Sequence, residues 1–145
     1  MEKQTFESAF AEAVPESFGF LLERGFQMHK EQEFLFHFDS PRVRVGVDLE
    51  PRSVGLWIGP HPSTLKPATP AHALSVTWFA ELHGAPHERG LGTFRSPDEI
   101  RGTLQKLADL LRQHCSSILE GDFREFPAAE ALAAKVLQQE NSWMK

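Results

Sequence analysis

The sequence predicts an α+β fold: an N-terminal helix, an antiparallel four-strand meander, and C-terminal helices packed on one sheet face. Three observations carry this. Between Phe34 and Ile58 the apolar residues fall at every second position: Phe34, Phe36 and Phe38, then Val43, Val45, Val47 and Leu49, then Val54, Leu56 and Ile58. A strand turns successive side chains to opposite faces, so this period means three strands, each with one buried face. Ser40-Pro41 and Pro51-Arg52 interrupt the pattern where tight turns belong. On either side the apolar spacing changes to three and four residues, the spacing of a helix with one buried stripe.

The first helix is expected from about Gln4 to Val14, with Phe6, Phe10, Ala13 and Val14 on one stripe, and Pro15 ends or kinks it. A short second turn carries Phe18, Leu21 and Leu22. Gly25 fits the position just past a helix end, where a left-handed backbone is wanted. Phe26 and Met28 then alternate with Gln27 and His29, giving a first strand ahead of the other three. Residues 59–70 form a proline-rich surface loop inside a single globular domain spanning 1–145. Thr69-Pro70 is expected to start a helix through about His83, with Leu74, Trp78 and Leu82 on one face. Ser96-Pro97-Asp98-Glu99 offers a cap, a proline at the first helical position, and a glutamate placed to reach back to the cap. Ile100, Leu104, Leu107, Leu111 and Ile118 hold one face of that helix, which Gly121 ends. A last helix follows through Leu132, Val136 and Leu137.

At 145 residues the chain has the size of one ordinary domain. Its net charge of −5 and the lack of a basic stripe argue against a nucleic-acid partner, because phosphate neutralisation supplies much of that affinity. One cysteine cannot form an internal disulfide. The acidic start is unlike a signal peptide, and no apolar run approaches the roughly 20 residues that span a bilayer. The expectation is a cytoplasmic protein without a membrane partner. Twelve Phe, three Trp and no Tyr mean that most rings belong in the core, since Phe has no polar handle.

Three segments carry a resemblance. Ser17–Phe26 reads as helix, glycine, strand; Ser40–Gly59 as strand, turn, strand; and Leu107–Asp122 as a helix ending in Gly-Asp. This order resembles small, functionally uncharacterised bacterial α+β proteins, some of which look like immunity proteins of toxin–immunity pairs. The resemblance brings no catalytic motif, so it implies a fold and a bacterial source and no residue roles.

The chemistry-bearing residues are sparse. His83 and His87 have the spacing of a zinc-binding helix, but Gly84 and Pro86 between them break the helix that makes the spacing useful. No metal and no cofactor is expected. Cys115 beside His114 is not a nucleophile pair, because adjacent helical residues point about 100° apart. A buried thiol is the expectation. Gly90-Leu-Gly92, with Arg89 and Arg95, lacks the remaining elements of a phosphate loop. Phe34, Phe36 and Phe38 have the spacing of a base-stacking platform, which is also that of a core strand. No catalytic residue is assigned.

The outer sheet face is the more informative surface. With the apolar set turned to the helices, His29, Leu35, His37, Arg42, Arg44, Asp48 and Trp57 share the opposite side. Trp57 and Leu35 are explained poorly by solvent exposure; they suit the centre of an interface, or else a loop or the second helix covers them. The binding residues expected are His29, Leu35, His37, Arg44 and Trp57, in a non-catalytic protein-interaction module with a basic protein partner. Two alternatives stand beside it: a small-ligand binder or enzyme using the His/Arg loop at 83–95, and a homodimer through the outer sheet face.

Overall fold

The computed structural model describes residues 5–64, 73–85 and 92–142. Helix α1 (Phe6–Ser17) opens on a reciprocal cap. Thr5 Oγ1 accepts from the Ser8 N–H at 3.1 Å, and Ser8 Oγ accepts from the Thr5 N–H at 3.0 Å. Pro15 does not end this helix. It sits in the last turn, where it removes a single intrahelical bond, and the helix runs on so that Ser17 and Phe18 are buried with Phe10 and Val14. Helix α2 (Gly19–Glu23) follows, and Gly25 takes a φ of 91°, the left-handed position expected of it.

The sheet contains β1 (Gln27–Gln32), β2 (Leu35–Asp39), β3 (Val43–Glu50), β4 (Ser53–Pro60) and β5 (Leu74–Ser75), in that spatial order. Every neighbouring pair is antiparallel. The expected four-strand meander is therefore present, with one short strand added at its far edge. β5 takes backbone positions opposite Trp57 and Ile58, on what is otherwise the open side of β4. The start expected for the next helix, at Thr69-Pro70, lies outside the described residues. The described part of that helix, α3, spans Val76–Leu82, because Leu74 and Ser75 are taken by the sheet. Strand β4 also runs further than expected: Gly59 and Pro60 are buried strand residues, not the start of the loop. Of the loop, Pro62–Thr64 form a 3₁₀ turn.

The inner sheet face is the predicted one. Phe36, Phe38, Val43, Val45, Val47, Val54, Leu56 and Ile58 join a single buried cluster with side chains from the helices. Phe10 of α1 stacks 5.6 Å from Phe36, and Phe18 lies 5.8 Å from Phe38. Phe34 is the exception: it precedes β2, and it is 40% exposed. Two displayed rings never materialise beside it, so the stacking-platform reading has no surface to work with.

Helix α4 (Pro97–His114) buries Ile100, Leu104, Leu107 and Leu111 on the predicted stripe. Its cap differs in detail: Ser96 makes no side-chain cap bond, and Glu99 Oε2 accepts from the Arg95 N–H instead. The helix stops at His114, seven residues before Gly121, and resumes as α5 (Ser116–Leu119). Cys115 provides the break, with φ −122° and ψ 15°, and the turn lets Cys115, Ile118 and Leu119 all enter the core. Gly121 then takes φ 95°. Helix α6 (Phe126–Ser142) closes the described chain, its Phe126 ring 5.0 Å from Phe79 of α3. Among the described residues no helix is long and apolar enough to cross a membrane.

Candidate functional site

The register places one residue from every strand in a single line across the outer face. His29 is opposite His37, His37 opposite Gly46, Gly46 opposite Trp57, and Trp57 opposite Ser75. Neither Trp57 nor Leu35 belongs to the core or to the half-buried side chains packed against it. The helices spend their apolar stripes on the other side of the sheet, so the sheet covers its outer face with its own side chains. Trp57 lies across Gly46, where a Cβ would come within 1.9 Å of the indole. Its ring meets His37 edge-on, with centroids 5.4 Å apart at 72°. Asp48 uses Gly55 in the same way, with Oδ1 over the bare Cα, and the chain at Ala73 crosses Gly59. Glycine within a strand marks close approach, and here three of them admit a side chain or a backbone segment.

Next to this line is an ionic cluster around Asp39, whose side chain is only 11% exposed. Arg44 donates to it from Nε at 2.8 Å and from Nη2 at 3.0 Å, a forked pair that fits the planar carboxylate. His29 Nε2 and His61 Nε2 stand 3.9 and 3.7 Å from Asp39 Oδ2. On the other side, Glu31 Oε1 approaches His37 Nδ1 to 3.4 Å. That contact is too poorly aligned for a hydrogen bond, and His37 Nδ1 is a buried atom with no hydrogen-bond partner. Burial, then the Arg44 charge, hold the His37 ring below its ordinary value of 6.5, while Glu31 and Asp39 pull the other way. Burial likewise pushes the Asp48 carboxyl up, with Glu50 adding to it.

The five residues expected on this face, His29, Leu35, His37, Arg44 and Trp57, all lie on it. Leu35 sits opposite Asp48, one position along from the histidine line. Arg42 does not join them. It occupies the turn between β2 and β3, and its side chain runs along Gly121 beside the helices. Asp39, Glu31 and Gly46 were not singled out by the sequence, and His61 was considered only as a metal ligand, although Gly46 amid the valines of β3 was a visible signal of close packing. The arrangement holds an aromatic pair and a paired carboxylate, Arg44 on Asp39.

Of the loop at 83–95, residues 86–91, including His87 and Arg89, lie outside the described residues. Gly92 serves the sheet: its carbonyl accepts from the Val54 N–H at 2.8 Å, and its bare Cα faces Val54 O. A groove of about 420 Å³ lies beside Arg95, lined also by Asp98, Glu99, Thr103 and Lys106, so acids and bases face each other across it. His83 is gathered with two distant residues. Its Nδ1 lies 3.0 Å from His114 Nδ1, and its Nε2 lies 2.5 Å from Glu125 Oε2. Burial, followed by His83, lowers the His114 pKa from 6.5. Cys115 is fully buried, and desolvation, helped by Glu125, pushes its thiol up to about 12, which removes it as a nucleophile.

Comparison with protein-family models, with curated proteins and with solved structures returned no significant match to this chain.

Proposed function

We propose that this chain is a non-catalytic protein-interaction module of the bacterial cytoplasm, immunity-like in character, that binds a basic protein through its outer sheet face. The observation that supports this reading is the line His29, His37, Trp57, held outside the core while the helices occupy the other side of the sheet. A rigid indole fixed over Gly46 is a pre-organised anchor, and aromatic anchors concentrate binding energy at interface centres. The Arg44 guanidinium of this face turns onto Asp39, whereas the Glu31 side chain is 45% exposed and the whole chain carries −5. That balance suits a basic partner, steered by long-range attraction that weakens with salt.

The test compares tagged wild type with Trp57→Ala and with His29→Arg, the latter placing a positive charge against a basic partner at a half-exposed side chain outside the core. A stoichiometric basic chain, retained by the wild type, lost from both variants and weakened by added salt, is the expected result. A partner that both folded variants retain at full strength would remove the sheet face from the reading. Self-association alone, measured by sedimentation and abolished by Trp57→Ala, would replace the foreign partner with a second copy.

A further inference from the structure

Three helix ends meet away from the sheet face. His83 follows the last residue of α3, His114 is the last residue of α4, and Glu125 immediately precedes α6. Packing of α3 against both α4 and α6 holds these ends in place, with the Phe79 and Phe126 ring centroids 5.0 Å apart and tilted by 57°. We propose that His83 and His114 form a two-histidine site for a borderline divalent metal ion, with Zn²⁺ as its simplest occupant, and that Glu125 orients it from behind.

The argument is geometric. Two imidazole nitrogens bound to one tetrahedral Zn²⁺ through bonds of about 2.0–2.1 Å stand about 3.3 Å apart. The Nδ1 atoms of His83 and His114 are 3.0 Å apart, close to that separation, and turning both rings outward until their lone pairs converge admits the ion. Glu125 accepts from His83 Nε2–H, which fixes the His83 tautomer and leaves its Nδ1 with a lone pair. A carboxylate on the far nitrogen of a ligating histidine is the usual outer support of such a ligand. In the empty state the His114 Nδ1–H fills the gap by donating to His83 Nδ1. On binding, that proton moves through solvent to His114 Nε2, the ring stays neutral, and the metal takes the place of the proton.

Among the described residues no group of three or more His, Cys, Asp or Glu side chains is arranged around a common metal position. Water therefore completes the coordination, and the partial exposure of His83 and Glu125, 33% and 34%, leaves it access. Imidazole donors with open positions suit zinc, copper or nickel over magnesium or calcium. Bound metal would tie α3 to α4 and stabilise the fold by mass action. This site is independent of the sheet-face reading, and neither stands or falls with the other.

Calorimetric titration of the full chain with Zn²⁺ at pH 7.5 tests it, using wild type, His83→Ala, His114→Ala and Glu125→Gln. The wild type is expected to bind one equivalent and to melt at a higher temperature with it. Either histidine variant is expected to bind at least about tenfold more weakly, and Glu125→Gln about 10–100-fold more weakly. No binding by the wild type at millimolar Zn²⁺ overturns the proposal. So does undiminished binding in both histidine variants, which would move the ion to others of the seven histidines. If a variant fails to fold, histidine ring resonances of the wild type decide: one equivalent of Zn²⁺ must shift His83 and His114 first, and a first shift at other histidines overturns the site.

Discussion

Trp57 lies across Gly46, the residue directly opposite it on β3, and occupies the volume a side chain at that position would take. The pair converts a solvent-facing sheet position into a packed one without help from a helix. Gly46→Ala is therefore expected to push the indole off the sheet and cost about 1–3 kcal/mol, as overpacking does. Urea denaturation measures the loss. Gly102→Ala is the control: that glycine is exposed within α4 with nothing within 4 Å of an added Cβ, so the same substitution should stabilise by up to about 1 kcal/mol.

Arg44 and Asp39 are expected to behave as a unit. Removing the guanidinium in Arg44→Ala leaves a carboxylate that is largely shielded from water, at a loss of about 1–3 kcal/mol. Arg44→Lys should recover only part of this, because an ammonium cannot donate the forked pair. Thermal melts of the two variants against wild type would show the order; equal stability of the Ala and Lys forms would mean that the fork contributes nothing beyond charge.

Stability should fall as pH drops below about 6.5. His37 and His114 both have pKa values lowered in the folded state. Below 6.5 the unfolded chain takes up protons that the folded chain refuses, so acid favours unfolding. Above that value both forms are neutral and the effect is absent. Equilibrium unfolding between pH 5 and 8 tests the slope, and His37→Gln, which does not titrate, should flatten it.

Cys115 should be inert in the native protein. With the thiol fully buried and its pKa pushed up to about 12, a thiol reagent at pH 8 should react only as the chain opens. Modification at the rate of a free thiol without denaturant would contradict the burial of the α4–α5 junction.

Much of the fold was legible because its signals are local. The alternation named the inner sheet face from Phe36 to Ile58, missing only at Phe34, and Gly25 marked a positive-φ turn. The same alternation put His29, Leu35, His37, Arg44 and Trp57 on the outer face together, since parity along a strand fixes the side of the sheet. Errors arose where a local preference met a tertiary demand. Pro15 is a helix breaker, yet burial of Ser17 and Phe18 carries α1 past it. Leu74 and Ser75 have helical company in sequence, yet an open edge of β4 draws them into the sheet.

Periodicities of two and 3.6 residues between chain neighbours set the four meander strands, the long helices and the inner face from Phe36 to Ile58. They also set the side on which His29, Leu35, His37, Arg44 and Trp57 fall, but not the side of Arg42 or the strand at Leu74–Ser75. Tertiary structure alone decided which distant groups touch. His29, His61 and Arg44 converge on Asp39 only once the register of β1, β2, β3 and β4 is set. His83 meets His114 across 31 residues and Glu125 across 42, and no local spacing encodes either contact. Such neighbours follow from how three helix ends close over one core, a consequence of packing the whole chain at once.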